Sequence, residues 1–320
     1  MAISARQARQ PWWVRFLGTR IAQGLLIVLG ALTISFFLVS STGSIVDVVG
    51  STYQTPSQRK ALEHQLGLDR PVLERYGTYV VDVAHGDFGR QYGTGDPAIG
   101  VVFSAFPNTV LLVVAAILIA WPIALAVSVL SVLRQDSRID WGLRSTLIVL
   151  QGLPEFWVAL LLVLVFSVNL GWLPSSGFDD GLRSVVLPAV ALSLPLIPTL
   201  VRLIRGQLLD FMSLELATAL RGKGITDSRI VVAHGVRNVL VPTVHFLSLQ
   251  LGWLLGGTLI VETVFGWPGI GQLLLTSIQN RELAVVQAVV IVIAASYVLL
   301  ALAADLLSFG VDPRIRRAVR

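Results

Sequence analysis

Residues 108–133 read NTVLLVVAAILIAWPIALAVSVLSVL, an apolar run without one charged side chain. A helix needs about 20 such residues to cross the hydrocarbon of a bilayer. Lipid offers no hydrogen-bond partners, so a spanning segment must satisfy its own backbone, which a helix does. The run therefore reads as a transmembrane helix, and the rest of the chain follows its example. Comparable runs occupy residues 21–40, 143–168, 185–204, 242–264 and 284–307. The expectation is an all-α polytopic membrane protein of about six spans. Pro122, Pro154, Pro195 and Pro198 fall within them, where neighbouring helices can satisfy the freed backbone groups.

Composition agrees. Of 320 residues, 54% are hydrophobic and 13% charged, against about 25% charged in soluble domains. The absence of cysteine excludes disulfides, thiol catalysis and thiolate metal sites. The four histidines, His64, His85, His234 and His245, fall in three separate regions, and no metal site is expected. The net charge of +5 does not point to nucleic acid, because the basic residues sit in short loops between apolar runs. No Ser/His/Asp grouping and no paired acids at membrane depth support an intramembrane enzyme.

Those loop charges orient the chain, since Lys and Arg concentrate on the cytoplasmic side. The N-terminal lead holds Arg6, Arg9, Arg15 and Arg20; the second connection holds Arg134, Arg138 and Arg144. The fourth holds Arg202, Arg205, Arg221, Lys223, Arg229 and Arg237, and the tail holds Arg314, Arg316, Arg317 and Arg320. The opposite side has five in the long first connection, plus Arg183 and Arg281. Both termini are thus expected in the cytoplasm. The expected organisation is a cytoplasmic lead (1–20), a first span (21–40), an extracytoplasmic segment (41–107), a membrane core (108–308) and a cytoplasmic tail (309–320). The first span reads as a retained helix: its apolar core exceeds a secretory signal and no A-x-A site follows.

Two short amphipathic helices are expected outside. Thr55-Pro56-Ser57-Gln58 fits a capping box, with Leu62 and Leu66 on one face and Gly67 at the end. A second starts at Pro71, aligns Val72, Tyr76 and Val80, and stops at Gly86. They read as a structural cap or as a surface for a solute receptor.

The most informative stretch is the loop 205–241 between spans four and five. Ser213 is placed to cap a helix over 214–223 with Glu215 in the first turn and Arg221 and Lys223 in the last, complementing the helix dipole. Gly224 supplies a left-handed stop. A second helix starts near Thr226 and Asp227, carries His234, Arg237 and Asn238, and is expected to yield at Val241 before Pro242. Small residues (Ala217, Ala219, Gly222) let another backbone approach, and Leu216 and Leu220 are suited to anchor in its pockets. A solvated loop helix is the plainer alternative.

This loop resembles the coupling region of dipeptide/oligopeptide ABC-transporter permeases of the dipeptide permease B type, roughly D-Y-V-R-T-A-R-A-K-G in that family. Glu215, Ala219, Arg221, Lys223 and Gly224 match by position or type. His234-Gly-Val-Arg237-Asn238-Val-Leu-Val-Pro242 is similar to H-A-L-R-N-A-L-I-P. The same order holds along most of the chain: Leu66-Gly-Leu-Asp-Arg-Pro71, Gly86-Asp-Phe-Gly-Arg90, Gly171-Trp-Leu-Pro-Ser-Ser-Gly177, Leu187-Pro-Ala189, Glu262-Thr-Val-Phe-Gly-Trp-Pro-Gly-Ile-Gly271 and Asp312-Pro-Arg-Ile-Arg316. Two departures stand out. Ser41-Thr42-Gly43-Ser44-Ile45-Val46 replaces the usual L-P-G-D-P, and Thr218 and Leu220 stand where the family often has Arg and Ala.

The resemblance implies an importer subunit in the bacterial inner membrane that forms half of a pore for short peptides or related solutes. It implies as partners a second permease chain, two ATP-binding subunits, an extracytoplasmic solute-binding protein and membrane lipid. Glu215, Leu216, Ala219, Leu220, Arg221, Lys223 and Gly224 would then couple to the ATPase, supported by His234, Arg237, Asn238 and Pro242. No cofactor is expected on this chain, because Lys223 is followed by Gly224 and no G-x-x-x-x-G-K-[ST] loop exists to hold ATP and Mg²⁺. Those belong on the partner subunits, and the chain is not expected to be an enzyme.

Glu155, beside Pro154, is the main ionisable residue placed within a span, and intramembrane acids usually face a cavity or partner. It reads as a pore or substrate contact, or as a carboxyl held by backbone loosened at Pro154. A structural role is expected for Glu262. His245 and Gln250 are suited to polar contacts between helices. The spacing of Gly252 and Gly256 fits close packing, with the partner permease as one candidate. The alternative function is a self-sufficient secondary transporter or channel, which calls for charged groups at mid-membrane.

Overall fold

A computed structural model describes residues 12–41, 64, 69–92 and 94–311. The expected helix around residues 55–67 and the tail motif from Asp312 lie outside the described residues. Among the described residues the chain is helical, with one isolated antiparallel bridge between Arg90 and Pro97 and no strand.

We number the helices α1 (Trp12–Ser41), α2 (Val72–Ala84), α3 (Ala98–Leu133), α4 (Arg138–Gly152), α5 (Glu155–Asn169), α6 (Leu182–Ser193), α7 (Leu196–Ser213), α8 (Glu215–Gly222), α9 (Asp227–Val264), α10 (Ile270–Gln279) and α11 (Leu283–Val311). Four helices, α1, α3, α9 and α11, are long and apolar enough to span a bilayer within their described residues, and the bent pairs α4–α5 and α6–α7 raise the number to six.

The pairs correct the picture of six continuous spans. Residues 143–168 do not form one helix: α4 meets α5 at 100°. Leu153 is extended and Pro154 follows it, as expected when a proline ring disfavours helix in the preceding residue. Residues 185–204 bend by 57° at Leu194–Pro195. By contrast Pro107 and Pro122 sit inside α3, and Pro242 sits inside α9. The helix expected to end at Val241 therefore continues through it. Its upstream part is anchored by Ile230, Val231, Gly235 and Val239, all buried, and this packing outweighs one missing N–H.

Helix α3 is the spine. Leu112, Ala116, Ala120 and Ala124 recur every four residues and are fully buried. This stripe of mostly small side chains admits α6 and α7 at close range, which bring Leu192, Leu196, Leu200 and Ile204 into the same core. Helix α11 packs between α1 and α9. A Cβ on Gly24 would come within 2.5 Å of Val298, and one on Gly252 would strike the Tyr297 ring. The close approach at Gly252 is thus made to α11 of the same chain, while Gly256 has open space around it. Helix α2 lies on α1, with Thr33 and Tyr76 hydroxyls 2.7 Å apart and Phe36 stacked on Tyr79.

Candidate functional site

Helix α7 ends in a sharp corner. Ser213 does not cap the next helix: its hydroxyl donates to Asp210 O (2.7 Å), and extended Leu214 occupies the cap position without a side-chain acceptor. Helix α8 then runs over Glu215–Gly222, with Glu215 in the first turn. Ala217 is fully buried against Phe211 and Ile230, seating α8 on the ends of α7 and α9.

The stop is a Schellman motif. Gly224 adopts φ +78°, Gly224 N–H donates to Arg221 O (2.9 Å), and Ile225 N–H donates to Leu220 O (3.2 Å). This pattern brings together the side chains that flank the stop, and Leu220 and Ile225 both pack on the Phe211–Ala217–Ile230 cluster. Leu220 is thereby turned inward, contrary to its expected role as an outward anchor. Leu216, 55% exposed, is the outward leucine of the helix, with Leu214 beside it. Arg221 Nε donates to Asp227 Oδ1 (2.7 Å), closing the loop onto α9. Glu215, Thr218, Ala219, Gly222, Lys223 and Gly224 are exposed. The result is a short, rigid helix offering one apolar side chain among small and charged ones.

Of the expected supporting residues, His234, Arg237 and Asn238 stand exposed on α9 and Pro242 is half-buried within it. The inward residue is Gly235, where a Cβ would meet Leu208 at 3.0 Å and Phe211 at 3.4 Å. A larger residue there would have to push Leu208 aside by a few tenths of an ångström. Glu155 is half-buried in the first turn of α5, directly after the corner, where a carboxylate complements the helix dipole. It stands at an end of the helix rather than at its middle.

The described residues hold two polar knots, the first unrecognised in the sequence and the second centred on Glu262, for which a structural role was expected. Asp140 is 1% exposed. Its carboxylate accepts from Ser131 of α3 and from Arg205 Nη2 of α7 (3.1 Å), while Arg205 Nε donates to Ser131 Oγ (2.7 Å). Ser137 caps α4 by accepting from Asp140 N–H (3.2 Å). This knot ties α3, α4 and α7 about three turns before α8 begins. The second centres on Glu262, fully buried in the last turn of α9. It accepts from Thr109 Oγ1 (2.7 Å) and from the N–H groups of Gly271 (2.7 Å) and Gln272 (3.0 Å). Those N–H groups lie in the first turn of α10 and lack helical partners of their own. Trp267 Nε1 donates to Asn108 O (3.1 Å), and Asn108 Nδ2 donates to Pro268 O (2.8 Å). A Cβ on Gly269 or Gly271 would collide with the Glu262 carboxylate. The stretch 262–271 is therefore a capping device binding α3, α9 and α10.

The profile described as "Binding-protein-dependent transport system inner membrane component" matches residues 120–317. The oligopeptide transport system permease protein AppB of Bacillus subtilis is 31% identical over 307 residues, covering 92% of this chain and 97% of that protein. The di/tripeptide transport system permease protein DppB of Pseudomonas aeruginosa is 31% identical over 324 residues, covering 92% and 96%. The glutathione transport system permease protein GsiC of Escherichia coli is 33% identical over 258 residues, covering 80% and 83%. Among solved structures, a chain of the MetNI methionine ABC transporter in an inward-facing conformation superposes with a TM-score of 0.50 at 18% identity, covering 69% of this chain and 96% of that one. This last likeness bears on the fold alone.

Proposed function

The chain belongs to the family of binding-protein-dependent transport system inner membrane components, and on that premise we propose that it forms half of the pore of an ATP-driven importer for short peptides or related small solutes. The relatives named for oligopeptide, di/tripeptide and glutathione transport support that solute class. The observation that carries the coupling part is α8: a capped helix at the turn between two bundle helices, seated by Ala217 and presenting Leu216. A loop that only had to connect α7 to α9 would gain nothing from holding Leu216 out in water.

In this reading α8 faces the cytoplasm and sits in a groove of an ATP-binding subunit. Movement there passes to α7 through the corner at Leu214 and to α3 and α4 through Arg205 and Asp140. Both termini lie in the cytoplasm of a bacterium, α2 lies outside, and an extracytoplasmic solute-binding protein delivers the solute. A second permease, a different chain, completes the pore. ATP and Mg²⁺ bind the partner subunits. The test is extraction in mild detergent followed by reconstitution into liposomes. The proposal requires co-purification with an ATP-binding subunit and a second permease, and peptide uptake that stops without ATP. Uptake by this chain alone, driven by an ion gradient, would overturn it.

A further inference from the structure

An open groove of about 430 Å³ runs between α4 and α7. Arg144, Arg202 and Arg205 line it with Gln151, and its walls include Leu147, Ile148, Pro198 and Val201. No carboxylate is among the lining residues; Asp140, which pairs with Arg205, is buried and already accepts from Arg205 and Ser131. Arg202 Nη2 donates to Gln151 Oε1, and Arg144 Nη1 lies 3.8 Å from Asp140. A guanidinium carries five N–H donors, so these contacts leave donors over on all three arginines. One buried aspartate against three arginines leaves the groove with a positive excess.

Two further observations narrow the ligand. Helix α4 lies at 100° to α5, so if α5 crosses the membrane α4 runs along its surface. Its outer face carries Trp141 and Ile148, each 72% exposed, as a helix embedded in a bilayer interface does. The groove therefore joins a cationic end to an apolar wall at the level of lipid headgroups. Basic pockets between transmembrane helices on the cytoplasmic side suit anionic headgroups, and guanidinium suits phosphate.

We propose that the α4–α7 groove binds an anionic phospholipid of the inner leaflet, its phosphate on Arg144 and Arg202 and an acyl chain along Leu147, Ile148 and Pro198. Arg205 is held in the knot and contributes field. The proposal rests on the orientation given above, but its test reads lipid binding, not transport, so its failure leaves the permease reading standing.

The test is native mass spectrometry of the complex purified in mild detergent and supplied with equal amounts of palmitoyl-oleoyl phosphatidylglycerol and phosphatidylcholine. Wild type is expected to retain phosphatidylglycerol in preference. The double variant Arg144→Gln, Arg202→Gln is expected to lose about a hundredfold in that retention, about tenfold for each of the two charge-assisted contacts removed. Arg75→Gln, on α2, is expected to retain it as wild type does and controls for charge loss elsewhere. Equal retention of both lipids by wild type, no change in the double variant, or an equal fall in Arg75→Gln would overturn the proposal. So would displacement of phosphatidylglycerol by millimolar dipeptide, which would assign the arginines to a solute carboxylate instead.

Discussion

Replacing Glu262 tests whether the stretch 262–271 is a capping device. Glu262→Ala removes the acceptor for three donors: Thr109 Oγ1, Gly271 N–H and Gln272 N–H. The site is fully buried, and a single water trapped in the space left would satisfy the freed donors only in part. Leaving a buried donor unmatched costs about 1–3 kcal/mol. Three at the lower bound give about 3 kcal/mol, with a few tenths more from losing a negative charge at the start of α10. Glu262→Gln keeps the shape and one acceptor oxygen but turns an N–H₂ toward a donor, and about half the loss is expected. Unfolding of the purified chain in mixed micelles, titrated with dodecyl sulfate, reads both values. The expected order is wild type, then Gln, then Ala. An Ala variant within about 0.5 kcal/mol of wild type, inside the usual range for an unremarkable surface change, would refute the capping account. A Gln variant as unstable as Ala would refute the donor count.

Three more outcomes follow. Gly224→Ala forces a Cβ into a left-handed residue (φ +78°), which costs about 1–2 kcal/mol. It is expected to fray the end of α8 and to lower peptide-stimulated ATPase activity more than basal activity in the reconstituted complex. Arg205→Ala leaves the buried Asp140 carboxylate only the more distant Arg144, 3.8 Å away, a loss of about 3 kcal/mol at the lower end of the range for broken buried pairs. The double variant Asp140→Ala, Arg205→Ala is expected to recover part of it in the same unfolding titration, and strict additivity would contradict the knot. Gly235→Ala would press on Leu208 and Phe211 and is expected to cost about 1–3 kcal/mol as an overpacked contact, whereas Gly256→Ala, with open space around it, is expected to be near neutral.

Long apolar runs and the left-handed stop at Gly224 were legible because each depends on local chemistry alone. The fate of each proline was not. Pro154 and Pro195 interrupt helices whereas Pro107, Pro122 and Pro242 do not, and the difference lies in packing by distant helices. Leu216 and Leu220, four positions apart, were expected to act together; Leu216 is exposed, but the inward turn of Leu220 depends on Ile225 beyond the stop. The Asp140 knot escaped notice because its partner Arg205 lies 65 positions away; a structural role was expected for Glu262, but not its partner Thr109, 153 positions away. Glu262 offered the signal of a lone acid at the end of an apolar run, whereas Asp140 stands among Asp136, Arg138 and Arg144 and offered none. For Glu155 the same signal marks a helix start, so it does not by itself separate a capping role from a pore role.

The most direct test of the coupling claim uses the absence of cysteine. Leu216→Cys and Leu73→Cys each place a single thiol, one on α8 and one on exposed α2, to carry a photo-crosslinker in native membranes. The account predicts that Leu216→Cys crosslinks to an ATP-binding subunit and is shielded from an impermeant thiol reagent added to intact cells, while Leu73→Cys is labelled by that reagent. Labelling of Leu216→Cys from outside, or its failure to reach any ATP-binding subunit while the complex still transports, would contradict the account.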